Sequence, residues 1–189
     1  MGRPRQFDAD KVLWEAVKVF WRLGYNATSV QDLVDAMRIE RGSLYRTFGD
    51  KQALFRRAVE HYSAYQAARL PAGADPMTLL RAWFANNLGD ARDRTLPNGC
   101  LVINSAVEMP ALPAPLQKLV NRHLGQLRRF FRRCVEAGRA AGQLPRSLVP
   151  AEKAESLLAA IIGINVMSRA GASQAQLGRI AREALDFAR

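Results

Sequence analysis

The sequence predicts an all-α protein of about nine helices. Apolar residues recur at spacings of three and four along most of its 189 residues, as they do on one face of a helix. Glycine and proline interrupt this pattern at intervals that suit helices of roughly 8 to 20 residues. No segment shows the alternation of apolar and polar residues that is typical of a strand.

Two short helices joined by a tight turn are predicted between residues 28 and 51. Thr28 is expected to cap the first of them, with Asp32 in its first turn, where the helix dipole favours negative charge. After a turn at Arg38-Ile39, the second helix is expected over 40–48. The inward positions of the two helices are Val30, Leu33, Val34, Met37, Ile39, Leu44 and Phe48. This layout is that of a helix-turn-helix.

The outward face of the second helix combines cations, hydroxyls and an aromatic ring. Its members are Arg41, Ser43, Tyr45 and Arg46. Gly42 leaves the first-turn backbone N–H groups open to a phosphate. Lys51 falls in the first turn of the next helix, after Gly49-Asp50, where a cation is unfavourable unless an anion lies nearby. Such a face suits a DNA groove, whereas an isolated helix of this pattern is usually a solvated surface.

The same residues resemble the TetR-type transcriptional regulators. The matching pattern is Thr28-x-Val30-x-Asp32-Leu33-Val34-x-x-Met37, followed by Ile39-x-Arg41-Gly42-Ser43-Leu44-Tyr45-x-x-Phe48-x-x-Lys51-x-x-Leu54, with Ala16, Phe20, Gly24 and Tyr25 before it. It covers the first third of the chain. The chain departs from the family at Arg46, where histidine is common, and at 38–40, where a small residue and glycine are more usual.

The resemblance implies an N-terminal domain that binds double-stranded operator DNA and a helical domain that binds a ligand and forms a homodimer. We place the DNA-binding domain at residues 1–49, a connecting helix at 50–70 and the sensing and dimerisation domain at 71–189. The expected DNA-binding residues are Arg3, Arg5, Thr28, Ser29, Arg41, Gly42, Ser43, Tyr45, Arg46 and Lys51. Arg3 and Arg5 form a basic arm around Pro4, which either enters a minor groove or makes diffuse phosphate contacts.

Composition agrees with a cytoplasmic protein that binds a polyanion. The formal net charge is +11 and the hydrophobic fraction is 49%. The N-terminus lacks the apolar segment of a signal peptide, and the longest apolar run, 157–166, is too short to span a bilayer. We therefore expect no membrane partner. The two cysteines are expected to be free thiols.

The densest positive charge lies outside the helix-turn-helix. It comprises Lys118, Arg122, Arg128, Arg129, Arg132, Arg133 and Arg139, with Glu136 as the only acid of that segment. The alternatives are a solvated helix face that keeps a basic protein soluble and a second anionic partner.

The remaining helices are expected to form a bundle. The first helix is predicted over 8–23, with Val12, Leu13, Ala16, Val19 and Phe20 inward, and later helices over 77–92, 97–108, 115–141, 150–168 and 173–188. The helix at 150–168 is apolar nearly all round, so it needs cover on more than one side. That cover is either neighbouring helices or the partner subunit. Dimerisation through the last two helices would match a palindromic operator.

The segment from Asn98 to Met109 resembles one found in a subgroup of these regulators, some of which respond to electrophiles or oxidants through a cysteine. If Asn98 caps this helix, Cys100 lies in its first turn, where the dipole favours the reactive thiolate. Burial would oppose this, and a cysteine that merely packs is the alternative. Cys134 lies in the apolar stripe of its helix and is interpreted as a packing residue.

A reversible apolar ligand is the competing effector. Candidate residues for its pocket are Trp83, Phe84, Asn87, Ile103, Asn104, Val107, Leu127, Phe130, Phe131 and Met167. Ligand binding or thiol modification would favour a conformation in which the helix after Asp50 moves the two DNA-binding domains to the wrong separation.

Two other functions are weighed against this one. A thiol-dependent enzyme has little support, because His61 and His123 belong to no metal-binding or nucleophile motif. No catalytic residue, metal or cofactor is predicted. A non-specific chromosome-coating protein fits the charge but not the large apolar C-terminal half.

Overall fold

A computed structural model describes residues 9–93 and 95–187. Within these ranges the chain is helical, with nine α-helices, one short 3-10 turn and no strand. The helices are α1 (Ala9–Leu23), α2 (Val30–Met37), α3 (Arg41–Phe48), α4 (Lys51–Ala68), α5 (Pro76–Asp90), α6 (Leu101–Val107), α7 (Ala114–Ala140), α8 (Pro150–Arg169) and α9 (Gln174–Ala184), with the 3-10 turn at Met109–Ala111. The predicted all-α class is confirmed.

Helices α1 to α4 share an aromatic core. The rings of Phe20 and Phe55 meet edge to face with their centroids 5.0 Å apart, and Trp21 packs on Tyr62 in the same way at 4.9 Å. The buried face of α1 includes Val17 and Trp21, whereas the sequence pattern had placed Val12 and Val19 there. This core holds α2 and α3 against α1 and α4.

The start of α2 differs from the prediction. Its N-cap is Ser29, not Thr28: the Ser29 hydroxyl accepts from the backbone N–H of Asp32, and the Asp32 carboxylate accepts from the backbone N–H of Ser29. Thr28 is buried, and its hydroxyl donates to the carbonyl of Gly24. Because the Thr28 hydroxyl donates to a carbonyl just after α1, the N-cap of α2 is the next residue, Ser29.

The C-terminal helices pack around α7. The apolar stripe of α7 that contains Cys134 is buried through Leu116, Leu119, Val120, Phe131, Cys134 and Val135. Asp75 caps α5 and Ser173 caps α9, each through its side chain.

Helix α8 has two different apolar faces. Leu157, Ile161 and Ile164 are buried against the bundle, whereas Val166 is 42% exposed and Leu158 and Ile162 are only half-buried. Of the helices in the described ranges, none combines the length and the hydropathy needed to cross a membrane.

Candidate DNA-binding surface and sensor cavity

The outward face of α3 is set by the residues that it buries. Leu44 and Phe48 point into the core, so Arg41, Tyr45 and Arg46 face solvent. Tyr45 is 43% exposed, which is unusual for an aromatic side chain of this size. The guanidinium of Arg41 lies 5.9 Å from the centre of its ring. A flat ring between cations forms a surface suited to phosphate and base edges.

The first turn of α3 is open to an approaching backbone. Gly42 has no atom within 4 Å of the position that a Cβ would occupy. The N-cap residue, Glu40, makes no side-chain hydrogen bond to the turn. Ser43, half-buried, accepts a hydrogen bond from Arg46 at 3.0 Å, which holds that guanidinium along the helix.

Lys51 already has partners within the protein. Its ammonium donates to the carbonyl of Thr28 at 2.6 Å and lies 4.5 Å from the centre of the Tyr25 ring. Burial lowers the pKa of Lys51, while Glu108 acts in the opposite direction. A phosphate is therefore not needed to explain a cation at the start of α4. The position of Lys51 in the first turn alone does not indicate that it contacts DNA.

Two of the predicted DNA contacts, Arg3 and Arg5, lie outside the described residues. The Thr28 side chain is 1% exposed, so it does not face the surface formed by α3.

A cavity of about 220 Å³ lies among α4, α5, α6 and α7. Its wall consists of Tyr62, Ser63, Gln66, Ala67, Leu70, Trp83, Asn87, Cys100, Val102, Ile103, His123, Leu124, Gln126, Leu127 and Phe130. Six of the predicted effector residues are on this wall: Trp83, Asn87, Cys100, Ile103, Leu127 and Phe130.

Five predicted pocket residues do not line this cavity. Val107 is 69% exposed, because α6 turns it away from the bundle. Asn104 instead donates hydrogen bonds to the carbonyls of Trp21 and Asn98. The others are Phe84, Phe131 and Met167, which belong to the packed core or its edge.

A polar network at the cavity wall was not predicted from the sequence. The amide nitrogen of Gln66 donates to the Tyr62 hydroxyl at 2.7 Å and to the carboxylate of Asp90 at 3.0 Å. Asp90 also pairs with Arg69. Burial raises the pKa of Asp90, although Gln66 and Arg69 act against the rise. Polar residues at the inward positions of α4 and α5 were the available signal.

Cys100 is buried in the wall and starts α6. It is the N-cap residue rather than a first-turn residue, and Asn98 does not cap the helix. Burial raises the pKa of the Cys100 thiol, although a hydrogen bond with Tyr62 opposes the rise. The predicted thiolate is therefore not favoured at neutral pH. Cys134 is also buried, and its pKa is raised to about 11.

The cavity wall is connected to the end of α1 through α6. Asn104, next to the wall residue Ile103, donates to the carbonyl of Trp21 at 3.3 Å. At the other end of α6, the Glu108 carboxylate accepts from the backbone and side-chain nitrogens of Asn26, each at 3.4 Å. Arg169 of α8 reaches the last carbonyls of α1 as well. These contacts join α6 and α8 to the end of α1 and to Asn26, which follows it.

The basic residues of α7 are only partly paired. Arg128 pairs with Glu155 at 3.2 Å and Arg132 with Glu136 at 2.7 Å, both at exposed positions. Arg139 donates to the carbonyl of Arg146. These contacts are typical of a solvated helix face.

Comparison with known proteins identifies the family. Residues 12–58 match the profile described as bacterial regulatory proteins, tetR family, and residues 76–184 match that described as tetracyclin repressor-like, C-terminal domain. The chain belongs to the TetR family. This TetR-family protein is a DNA-binding transcriptional regulator, as predicted, and not an enzyme.

Several relatives cover most of the chain. The transcriptional repressor ComR of Escherichia coli is 32% identical over 186 residues, which are 95% of this chain and 88% of ComR. The regulator YezE of Bacillus subtilis is 36% identical over 135 residues, 69% of this chain and 70% of YezE. A CifR cysteine mutant, solved with a 26-bp double-strand operator DNA, superposes with a TM-score of 0.83 at 28% identity, covering 97% of this chain and 98% of the other.

Proposed function

We propose that this protein is an effector-responsive repressor that binds a palindromic operator as a homodimer in the cytoplasm and releases it when its cavity is occupied. The observation that carries the proposal is the exposed Arg41-Tyr45-Arg46 face on a helix whose opposite side is buried. Relatives named as repressors, ComR among them, support the direction of regulation. The functional division is DNA binding by 1–49, connection by 50–70, and sensing and dimerisation by 71–189.

In this proposal α3 enters the major groove. Arg41, Tyr45 and Arg46 contact bases and phosphates, and the backbone at Gly42 approaches a phosphate. The hydroxyls of Ser29 and Ser43 lie beside one DNA strand. Arg3 and Arg5 extend along the DNA from the N-terminus. Lys51 acts mainly by holding the start of α4 against Thr28 and Tyr25.

The outer faces of α8 and α9 are the proposed dimer interface. On α8, Leu158, Ile162 and Val166 form an incompletely covered apolar stripe at helical spacing. A two-fold pairing of α8 and α9 with their copies would bury this stripe. It would also place two α3 helices about 34 Å apart, or a small multiple of it, which fits the half-sites of a palindrome.

Release is proposed to begin at the wall formed by the start of α6. An occupant that displaces Cys100, Val102 or Ile103 would move Asn104, which contacts the end of α1, and Glu108, which contacts Asn26 just after it. A differential affinity of about 1 to 3 kcal/mol between the two conformations suffices for a useful response. Relative movement of the two DNA-binding domains then lowers operator affinity.

Two kinds of effector fit this cavity. A reversible ligand is favoured by the mostly apolar wall and by the raised pKa of Cys100. An electrophile that adds covalently to Cys100 is the second candidate, because that sulfur lies on the cavity wall. A Cys100→Ser variant separates them: it should respond normally to a reversible ligand and lose any response to an electrophile.

Selection of genomic fragments on the purified protein at near-physiological salt tests the proposal. A palindrome should be enriched and bound roughly a thousandfold or more tightly than bulk DNA. Equal binding of all fragments would instead indicate the chromosome-coating alternative and overturn the proposal.

A further inference from the structure

One imidazole, that of His123 on α7, lies on the cavity wall beside the hydroxyl of Ser63 on α4. Ser63 Oγ is 2.8 Å from the carbonyl oxygen of Val59 and 3.0 Å from His123 Nδ1. A carbonyl oxygen only accepts, so the single hydroxyl hydrogen is donated to Val59. Ser63 Oγ must then accept from His123, which places the imidazole hydrogen on Nδ1.

The other ring nitrogen of His123 is left as an acceptor. Among the described residues, no hydrogen-bond donor is paired with Nε2. Burial and the charge of Arg122 lower the pKa of His123, against the effect of Glu60, so the ring is neutral at pH 7. A neutral imidazole with hydrogen on Nδ1 accepts at Nε2.

A second acceptor on the wall also lacks a donor. Gln66 is 3% exposed, and its amide hydrogens are taken by Tyr62 and Asp90. Its carbonyl oxygen has no hydrogen-bond partner in the part of the chain that the structure describes. The same wall carries a buried donor without a hydrogen-bond partner among the described residues, Trp83 Nε1. Since unpaired buried polar groups are unfavourable, the wall is suited to a ligand group that both donates and accepts, as a hydroxyl does.

The charge of the wall residues and the volume of the cavity further restrict the class of ligand. The wall residues include no aspartate, glutamate, lysine or arginine, so an ionised ligand would lose hydration without gaining a counter-charge. A cavity of about 220 Å³ is larger than the roughly 150 Å³ that holds benzene and smaller than the roughly 300 Å³ at which drug-sized pockets begin. It fits a molecule with one ring.

We propose that the cavity binds an uncharged, single-ring aromatic compound bearing a hydroxyl group, which donates a hydrogen bond to Nε2 of His123. The ring lies against the apolar wall formed by Trp83, Leu127 and Phe130. This inference rests on the proposed function, because it names the chemical class of the reversible effector.

Isothermal titration calorimetry with three probes of similar shape tests it. p-Cresol carries the hydroxyl, toluene lacks it, and p-toluate carries a carboxylate instead. At pH 7 the wild-type protein should bind p-cresol about five- to tenfold more tightly than toluene, as expected for one neutral hydrogen bond, and p-toluate most weakly. Equal affinity for p-cresol and toluene, tighter binding of p-toluate, or no binding of p-cresol would each overturn the inference.

Two variants assign the preference to His123. His123→Phe keeps a flat ring without Nε2, and His123→Asn keeps a donor for Ser63 without Nε2. Each variant should bind p-cresol and toluene with affinities within twofold of one another. Thermal unfolding shows whether each variant is folded. A folded variant that retains the wild-type preference would contradict the role of His123.

Operator binding with and without p-cresol separates this inference from the proposed function. If p-cresol binds in the calorimeter with the expected preference but leaves operator affinity unchanged, the ligand class stands and the sensing role of the cavity fails. If another effector releases DNA through this cavity while p-cresol does not bind, the ligand class fails and the sensing role stands.

Discussion

Replacement of Gly24 by alanine tests the contact between the DNA-binding domain and α6. Gly24 has a φ of +81°, and an added Cβ would lie 1.7 Å from a carboxylate oxygen of Glu108. The backbone conformation alone costs alanine about 1 to 2 kcal/mol. Displacing Glu108 also removes its two exposed contacts with Asn26, which contribute less than about 1 kcal/mol together. We therefore expect a loss of about 2 kcal/mol.

A double-mutant cycle in urea measures this. With a slope of about 2 kcal/mol/M, Gly24→Ala should lower the unfolding midpoint by about 1 M at fixed protein concentration. Glu108→Ala removes the carboxylate in advance, so the double variant should be no less stable than Gly24→Ala alone. Gly142→Ala is the matched control, because Gly142 has a φ of +71° and no atom within 4 Å of an added Cβ. The change in the free energy of unfolding caused by Gly142→Ala should add to that caused by Glu108→Ala. Additive effects of Gly24→Ala and Glu108→Ala would refute the contact.

Three further predictions concern the caps and the thiols. Ser29→Ala should lower the free energy of unfolding by about 1 kcal/mol, because Ser29 is the cap of α2; a change near zero in urea denaturation would contradict this. In a Cys134→Ser background, alkylation of native Cys100 should accelerate about tenfold per pH unit from 7 to 9, because burial raises its pKa and keeps the thiolate a minor species; a plateau near pH 7 would show otherwise. Hydrogen bonds from Thr78 lower the pKa of Asp75, so its stabilising effect is present above the unfolded pKa of about 3.9 and is lost as pH falls through the folded value. Asp75→Asn should therefore flatten the acid limb of a stability profile, and an unchanged profile would exclude this role.

Helix positions were predictable because the signals that set them are local. Gly49 and Asp50 end α3 and cap α4 as expected, with the Asp50 carboxylate accepting from the backbone N–H of Ala53. Inward positions of α2 and α3, such as Leu33 and Leu44, were also identified, because their spacing already defines one face.

The errors came from contacts with residues outside the helix whose pattern was used. Thr28 and Ser29 are equivalent as caps of α2 until the Thr28 hydroxyl donates to the carbonyl of Gly24, just after α1. Lys51 has its partner 23 positions earlier in the chain, so its surroundings could not be read from its helix alone. The polar wall groups around Gln66 were missed for the same reason, since the Gln66 amide on α4 donates to Asp90 on α5.

Operator binding by the exposed face of α3 is tested with three variants, Arg41→Ala, Tyr45→Ala and Arg129→Ala. The equilibrium affinity of each for the selected palindrome is measured by fluorescence anisotropy at fixed salt. Arg129 is an exposed cation on α7, so its removal controls for net charge. We expect Arg41→Ala and Tyr45→Ala each to weaken binding about tenfold or more, and Arg129→Ala to change it little. Wild-type affinity in folded Arg41→Ala and Tyr45→Ala proteins would contradict DNA binding by this face.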